Sequence, residues 1–404
     1  MKRIAVILAV LLLFTGCRKI GDDGKKEYED STDIITTHQS TEPVTEADTE
    51  PVIDETNDGV VSILMAGDVL LHDKVAASGK MDDGTYNYDH MFANVKDEIE
   101  RADLALVNQE VILGGRELGL TGYPSFNGAF EVGDSLVASG FDVVLHATNH
   151  ALDKGKKGLL SCISFWEENY PHIPYLGIAD TQSKADEIYV TEKEGIKIAI
   201  LNYTYGTNGI PLPSDMPYCV NLLTSSRVND IKADIAEAKQ KADFVIVAPH
   251  WGTEYVLYAD SNQKYWTDLF FECGVDLVIG THPHVVQPVE MITDGQHEML
   301  VYYSIGNYIN ATAQTGAGIA NRMLGVLADV TITDMGDDVK ITDYGIIPIV
   351  AHVKSGPGGC TVYKLSDYTQ TLARENEIIY SDSSFSLKYM QDLAKKVFGE
   401  LYTD

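Results

Sequence analysis

Short apolar runs alternate with longer amphipathic segments over residues 60–298. Residues 60–66 (VVSILMA) are almost wholly apolar, which is typical of a strand buried on both faces. Residues 228–241 place apolar side chains at helical spacing and predict an amphipathic helix. The same reasoning predicts strands at 104–107, 141–145, 244–248 and 277–279, a hairpin at 188–203 turning at Glu194-Gly195, and helices at 92–102, 132–139, 154–169 and 262–273.

The pattern changes near residue 299, after which helical segments stop until the C-terminus. Strands are predicted near 299–304, 322–333, 339–350 and 361–364, and a last amphipathic helix at about 384–398. Alternating strands and helices followed by a run of strands indicate an α/β protein. Its sheet would be partly antiparallel, with two sheets packed face to face as one arrangement.

The N-terminus has the pattern of a targeting segment. Lys2 and Arg3 precede an apolar run of eleven residues, 4–14, which is too short for a comfortable membrane span. The run ends in Phe14-Thr15-Gly16-Cys17, similar to a bacterial lipobox, and this predicts that Cys17 is lipidated after residues 1–17 direct export. An uncleaved anchor, or cleavage by the ordinary signal peptidase, would also fit. The expected location is extracytoplasmic, as a cell-membrane lipoprotein of a bacterium.

Residues 18–59 differ in composition from the rest of the chain. They carry thirteen acidic against four basic residues, many threonines and few large apolar side chains. Such a segment buries too little apolar surface to offset its ordering entropy, so a disordered tether is predicted. A folded domain at 60–365 and a C-terminal extension at 366–404 then complete the predicted organisation.

The charge balance restricts the choice of partners. The chain has 30 Lys+Arg against 60 Asp+Glu, a net charge of −30, and nucleic-acid binding needs the opposite balance. A polyanionic substrate would need a cation between it and this acidic surface. None of the five cysteines has zinc-ribbon or redox-pair spacing, so those after Cys17 are expected to be free or buried, although two disulfides are possible.

Polar motifs recur at the carboxyl ends of six predicted strands, which is the edge where α/β sheets bind ligands. The residues concerned are Asp68, Asn108, Glu110, Asn149, His150, His250, His282, His284 and Asn307. Imidazole, carboxylate and amide oxygen suit divalent ions such as Mn, Fe or Zn, and there are enough donors for one or two ions. Each residue also has a plain structural interpretation, such as a cap, a turn or core packing.

The pair His282 and His284 is the most specific of these motifs. A spacing of two places both side chains on one face if the segment is extended, and Pro283 disfavours helix at His282. Two ions could clamp the oxygens of a phosphate or similar group, with His150 as the acid or as a donor to developing charge. His72, His146 and Trp251 are interpreted as supporting or structural residues.

These motifs, in this order, resemble the CapA-type proteins of poly-γ-glutamate capsule synthesis. The resemblance covers about residues 60–310 and rests on GDVLLH (67–72), NQE (108–110), GFDVVLHATNHALDKG (140–155), HWGTEY (250–255), GVDLVIGTHPHVVQP (274–288) and YSIGNYI (303–309). It implies a branch of the calcineurin-like metallophosphatases, with a four-layer αββα sandwich of mixed sheets. It also implies Asp68, Glu110, Asn149, His250, His282 and His284 as metal ligands and His150 as the acid-like catalytic residue. Four further residues are predicted to lie behind the ligands: Asn108, Asn307, Trp251 and Glu254.

Two positions depart from the metallophosphatase pattern. That pattern opens with Asp-x-His, whereas Asp68 is followed by Val69 and Leu70, and Glu110 stands where an aspartate usually bridges. The resemblance therefore implies metal binding more strongly than hydrolysis.

The expected function is surface-anchored synthesis or export of poly-γ-glutamate capsule or another cell-envelope polymer. An anionic polymer or phosphoester would be the substrate, and membrane proteins of the capsule machinery would be partners. A phosphohydrolase or esterase without a capsule role, and a non-catalytic polymer-handling module, remain alternatives.

Overall fold

The computed structural model describes residues 58–403. The predicted lipidation at Cys17 and residues 18–57 of the predicted tether lie outside this range. Within it, no helix combines the length and apolar character needed to cross a membrane. The cysteines at 162, 219, 273 and 360 are all free thiols.

Fourteen strands and nine α-helices make up the described chain. The strands are β1 (Val60–Val69), β2 (Leu104–Asn108), β3 (Val143–Leu145), β4 (Tyr175–Leu176), β5 (Tyr189–Lys193), β6 (Ile196–Thr204), β7 (Phe244–His250), β8 (Leu277–Ile279), β9 (Val289–Thr293), β10 (Glu298–Tyr302), β11 (Asn307–Ile309), β12 (Leu324–Asp334), β13 (Val339–Val353) and β14 (Cys360–Lys364). The helices are α1 (Asp73–Ser78), α2 (Lys96–Arg101), α3 (Phe130–Ala138), α4 (Gly155–Asn169), α5 (Gln182–Ala185), α6 (Val228–Lys241), α7 (Ser261–Glu272), α8 (Gln370–Glu375) and α9 (Leu387–Phe398).

The strands form two mixed sheets. The larger has the order β14-β13-β12-β1-β2-β3-β4, and β11 pairs with β1 beyond the point where β12 ends its pairing. Its β1, β2, β3 and β4 are parallel, while β12, β13 and β14 are antiparallel to their neighbours. The smaller sheet has the order β5-β6-β7-β8-β10-β9, parallel from β6 to β10 and antiparallel at both edges.

Alternating side chains on the smaller sheet divide between two cores. Phe244 and Ile246 of β7 join the core shared with the larger sheet, whereas Val245 and Val247 join a second core. That second core contains α6 and α7, through side chains such as Ile235. The Tyr302 hydroxyl of β10 donates across the two sheets to the carbonyl of Gly345, at 2.8 Å.

The layered arrangement confirms the predicted αββα sandwich. Helices α3, α4 and α9 bury side chains such as Leu136, Leu159 and Met390 in the core of the larger sheet. The predicted hairpin is also confirmed, since Glu194 and Gly195 both have positive φ, 47° and 75°, and form a two-residue turn between β5 and β6. Two positive φ values match the twist of a tight β-hairpin.

Several predicted elements are wrong in extent or were missed. The helix expected at 92–102 forms only as α2, because Phe92 stacks on the buried Tyr308 ring, at 5.2 Å between centroids, and Asn94 donates to the Val362 carbonyl. Helix α8 contradicts the expectation that helices stop between residue 299 and the last helix. Strands β4, β9 and β11 and helices α1 and α5 have two to six residues each, too short for periodicity to reveal.

Candidate metal centre

The predicted ligand residues do converge between the two sheets. They stand at the carboxyl ends of β1, β2 and β3 in the larger sheet and of β7 and β8 in the smaller one. Two triads, each with ligand atoms within 4.8 Å of one another, are Asp68–Glu110–His284 and Glu110–His250–His282. Glu110 belongs to both triads, which is the arrangement a bridging ligand would have.

Asp68 is held by the protein through both carboxylate oxygens. Asn108 donates from Nδ2 to Oδ1 at 2.7 Å, and the backbone N–H of His282 donates to Oδ2 at 3.2 Å. The His284 Nδ1 lies 3.2 Å from Oδ2. Gly67 makes this position possible, because a Cβ there would lie 2.0 Å from the Gly306 carbonyl oxygen.

Glu110 is buried, with 1 % of its surface exposed, and neither carboxylate oxygen has a hydrogen-bond partner among the described residues. Its Oε1 lies 3.6 Å from His284 Nε2, 3.7 Å from His250 Nε2 and 3.9 Å from His150 Nε2. Burial raises the pKa of Glu110 well above its usual range, His284 opposes this, and the Asp68 charge adds to it. An unpartnered carboxylate facing three imidazoles fits a divalent cation, which would satisfy those oxygens.

The imidazoles around Glu110 differ in their protonation states. Burial, reinforced by the charges of neighbouring histidines, lowers the pKa of both His250 and His282 well below its usual value, so both rings are neutral and able to bind a metal. Burial also acts to lower the pKa of His284, but the charges of Glu110 and Asp68 outweigh it and raise that pKa to about 9. His250 Nε2 lies 2.8 Å from Asn149 Oδ1, which places Asn149 beside the second triad.

The segment from His282 to His284 is not extended, contrary to the prediction from its spacing. His282 has φ of 94° and His284 has φ of 58°, and the segment forms a bend after β8. The bend is fixed by two hydrogen bonds: the His282 N–H donates to Asp68, and the Tyr255 N–H donates to the Pro283 carbonyl at 2.7 Å. Both imidazoles still reach the centre. Positive φ at non-glycine residues costs about 1–3 kcal/mol each and is concentrated at functional sites.

His150 faces Glu110 with one nitrogen and a carboxylate with the other. Its Nδ1 lies 2.7 Å from Asp153 Oδ2, and the ring packs edge-on against Phe126. Asp153 also accepts a bond from the Phe126 N–H at 2.7 Å, which fixes the carboxylate. The sequence analysis missed Asp153, although its place three residues after His150 was the available signal. Asn208 was also missed, and its Nδ2 lies 3.3 Å from His150 Nδ1.

Of the residues predicted to lie behind the ligands, some contact the proposed ligands and one lies in the core. Asn307 Oδ1 lies 3.0 Å from His284 Nδ1, and Glu254 has a carboxylate oxygen within 4.8 Å of ligand atoms of His282 and His284. Trp251 is buried on the helical side of the smaller sheet and donates to the Tyr303 carbonyl, at 2.9 Å. His146 accepts a bond from the Trp166 indole, also at 2.9 Å, so it supports the core.

A cavity of about 560 Å³ opens onto the centre. His150, His284, Asn307, His72 and Leu70 all line it. Leu70 occupies the position at which the metallophosphatase pattern has a histidine, so an aliphatic side chain lines the cavity there. Arg322, which the sequence analysis did not identify, also lines it.

The fold and the site together define a class: a two-sheet α/β protein with carboxylate, amide and imidazole donors at the strand ends. The sequence model of the family described as "Bacterial capsule synthesis protein PGA_cap" matches residues 62–312. The chain belongs to this family.

Curated relatives share part of the chain. "Capsule biosynthesis protein CapA" of Bacillus anthracis is 27% identical over 172 residues, which are 42% of this chain and 40% of that protein. "PGA biosynthesis protein CapA" of Bacillus subtilis (strain 168) is 28% identical over 179 residues, 42% of each chain. The matches thus span less than half the length of these relatives.

Two solved structures are similar in outline. The calcineurin-like phosphoesterase YfkN from Bacillus subtilis has a TM-score of 0.41 and 14% identity, covering 82% of this chain and 99% of that chain. A dimetal phosphatase from Danio rerio has a TM-score of 0.36 and 13% identity, covering 72% and 99%.

Proposed function

We propose that this protein acts in the synthesis or export of poly-γ-glutamate capsule, or of a related envelope polymer, through a metal-dependent phosphoesterase-like site. Membership of the PGA_cap family supports the capsule role. The observation that supports the metal site best is Glu110, a buried carboxylate that faces three imidazoles with both oxygens unpartnered. Imidazole nitrogens lie around this carboxylate, and neither of its oxygens is used in a hydrogen bond among the described residues, so both are available to a metal ion.

The residues that would hold the metal fall into two groups. Asp68 and His284 would bind on one side of Glu110, and His250, His282 and Asn149 on the other. A divalent cation in such a site acts as a Lewis acid toward a phosphoryl oxygen. Its own charge would keep Glu110 ionised despite the burial that otherwise raises the pKa of this group.

His150 is the residue proposed to handle the proton. Its Nδ1 is held by Asp153, which leaves Nε2 directed at the centre, where the doubly protonated ring would donate to a leaving group. Phe126, whose ring packs against His150, and Tyr123 line the same cavity.

The proposed location is the outer face of the cell membrane, where Cys17 would carry the lipid and residues 18–59 would act as a tether. Membrane proteins of the capsule machinery are proposed partners. Palmitate labelling of wild-type cells and of Cys17→Ser cells tests the anchor. Equal labelling of both would refute lipidation at that residue.

The main test uses the full chain. Bound metal is measured by mass spectrometry, and hydrolysis of bis(p-nitrophenyl) phosphate is assayed with Mn or Zn, for the wild type and for His250→Ala. We expect metal in the wild type, less in the variant, and turnover that falls with it. A wild type without affinity for either metal would refute the site.

Two alternatives have separate outcomes in the same test. Metal binding without turnover on any phosphoester would favour a non-catalytic polymer-handling module, and Leu70 in place of the Asp-x-His histidine is the feature that favours it. Turnover with unchanged surface polymer after gene deletion would favour a phosphohydrolase without a capsule role.

A further inference from the structure

Arg322 is a buried cation in the wall of the cavity that opens onto the metal centre. Only 9 % of its surface is exposed, in a chain whose net charge is −30. Buried arginines are normally paired with a carboxylate. Arg322 forms no ion pair with any acidic residue in the part of the chain that the structure describes. Glu254 lines the same cavity, and its charge acts on Arg322 from a distance without forming an ion pair with it.

The guanidinium is held in place by neutral groups. It lies 3.5 Å from the ring centroid of Tyr255, and one terminal nitrogen donates to Gln314 Oε1 at 2.8 Å. The Nε–H is buried and has no partner among the described residues. The arginine is therefore pre-oriented by stacking and one hydrogen bond, while part of its donor fork is unused.

The backbone of Arg322 is fixed to the metal centre. Its carbonyl accepts from Asn310 Nδ2 at 2.7 Å and from Asn307 Nδ2 at 3.0 Å. The same Asn307 presents Oδ1 to His284 Nδ1. One amide side chain thus positions both a proposed metal ligand and the cation of the cavity wall.

We propose that Arg322 binds an oxyanion of the substrate, a carboxylate or a phosphate, in the cavity beside the metal centre. An oxyanion supplies the negative charge that this buried cation lacks, and it accepts the fork of N–H donors that Tyr255 and Gln314 hold in place. The cavity of about 560 Å³ leaves room for more than one anionic group. The proposal deepens the proposed function, on which it rests for the reaction at the centre, and makes Arg322 a specificity-determining residue.

The test is calorimetric titration of the full chain with inorganic phosphate and with glutarate, before and after metal removal by chelation. The neutral glutaramide serves as a control ligand. We expect at least one anion, and not glutaramide, to bind the metal-free protein, and Arg322→Met to weaken that binding about 10- to 100-fold. The anion whose affinity falls more in Arg322→Met identifies the bound group as a carboxylate or a phosphate.

Arg116 provides the matched control. It also lies over a tyrosine ring, 5.5 Å from the Tyr86 centroid, but it is exposed and outside the cavity. Arg116→Met should leave the affinity unchanged. If Arg322→Met fails to fold, Arg322→Lys decides: the loss of the planar fork should weaken binding several-fold, and unchanged affinity would overturn the proposal.

The outcomes separate this proposal from the proposed function. If anion binding depends on Arg322 but the protein hydrolyses no phosphoester, the role of Arg322 is supported and only the proposed reaction is contradicted. Hydrolysis with an unchanged KM in Arg322→Met overturns the role of Arg322 and leaves the reaction standing. Failure of both anions to bind the wild type also overturns the proposal.

Discussion

The two carboxylates of the centre are both buried, yet the protein treats them in opposite ways. Asp68 receives donors from Asn108 and from the His282 backbone, so its position is set before any metal arrives. Glu110 receives none. The position of Asp68 is thus fixed by the fold itself, whereas Glu110 presents two oxygens that no described residue satisfies.

Glu110→Gln should have the largest effect of the variants that test this difference between the two carboxylates. Metal affinity should fall by more than about 100-fold, because even residues behind the ligands contribute 10- to 100-fold. The melting temperature of chelated protein should change little, since the loss of the attraction between Glu110 and His284 is offset by the removal of a buried carboxylate without hydrogen-bond partners. Metal competition titrations and thermal unfolding measure both effects. A marked loss of stability in chelated protein would show that Glu110 already has a partner.

The next largest effect concerns His150, the proposed proton donor that faces Glu110. Asp153→Asn should lower kcat about 10- to 100-fold, with little change in KM or metal content, because the carboxylate that fixes the His150 ring is lost. Steady-state kinetics on a phosphodiester and metal analysis provide the measurement. Asp215→Asn serves as the control, since Asp215 is exposed and pairs with Lys156 on the surface. A drop in bound metal to match the drop in kcat would contradict a purely orienting role.

Asp68→Asn is the matched counterpart of Glu110→Gln. The asparagine NH₂ group would face the N–H group of either Asn108 or His282, and one of the two hydrogen bonds to Asp68 would be lost. The free energy of unfolding of the chelated protein should therefore fall by about 1–3 kcal/mol. Denaturant unfolding in chelator, run beside Glu110→Gln, measures the contrast. Equal stability of the two variants would erase the distinction between the two sides of the centre.

A change of pH should have the smallest effect on the stability of the folded protein. The pKa of His284 is raised from 6.5 to about 9 in the folded chain, so its contribution to stability is complete below 6.5 and is lost as the pH rises toward 9. In chelated protein we expect a loss of about 1 kcal/mol or less per pH unit in that window. His284→Gln should flatten this slope. If stability depends on pH as steeply in His284→Gln as in the wild type, the dependence arises from other titratable groups.

The sequence predicted the site better than the details of its geometry. Strand ends bring residues together by topology, so Asp68, Glu110 and His250 could be predicted from the ends of apolar runs. The bend at His282 could not, because it depends on contacts with Asp68 and Tyr255 that are remote in sequence. Arg322 lies in a five-residue 3₁₀ helix with no periodic pattern, and only tertiary packing reveals that it is buried.

The same division holds for the fold. Long periodic segments such as α6 were predicted with their observed bounds, because burial of one face fixes the pattern over four turns. Strand β11 has three residues, and it exists because its backbone pairs with the end of β1. Such an element has no local signal, since its partner supplies the hydrogen bonds.

Asn307 has a consequence for how the cavity would respond to its ligands. Its side-chain oxygen contacts His284 and its side-chain nitrogen donates to the Arg322 carbonyl. A displacement of either residue would therefore move Asn307 and, through it, the other residue. Coupling of this kind is reciprocal by thermodynamic necessity. The factor by which a cation raises affinity for an anion at Arg322 is therefore the factor by which that anion tightens the hold on the cation.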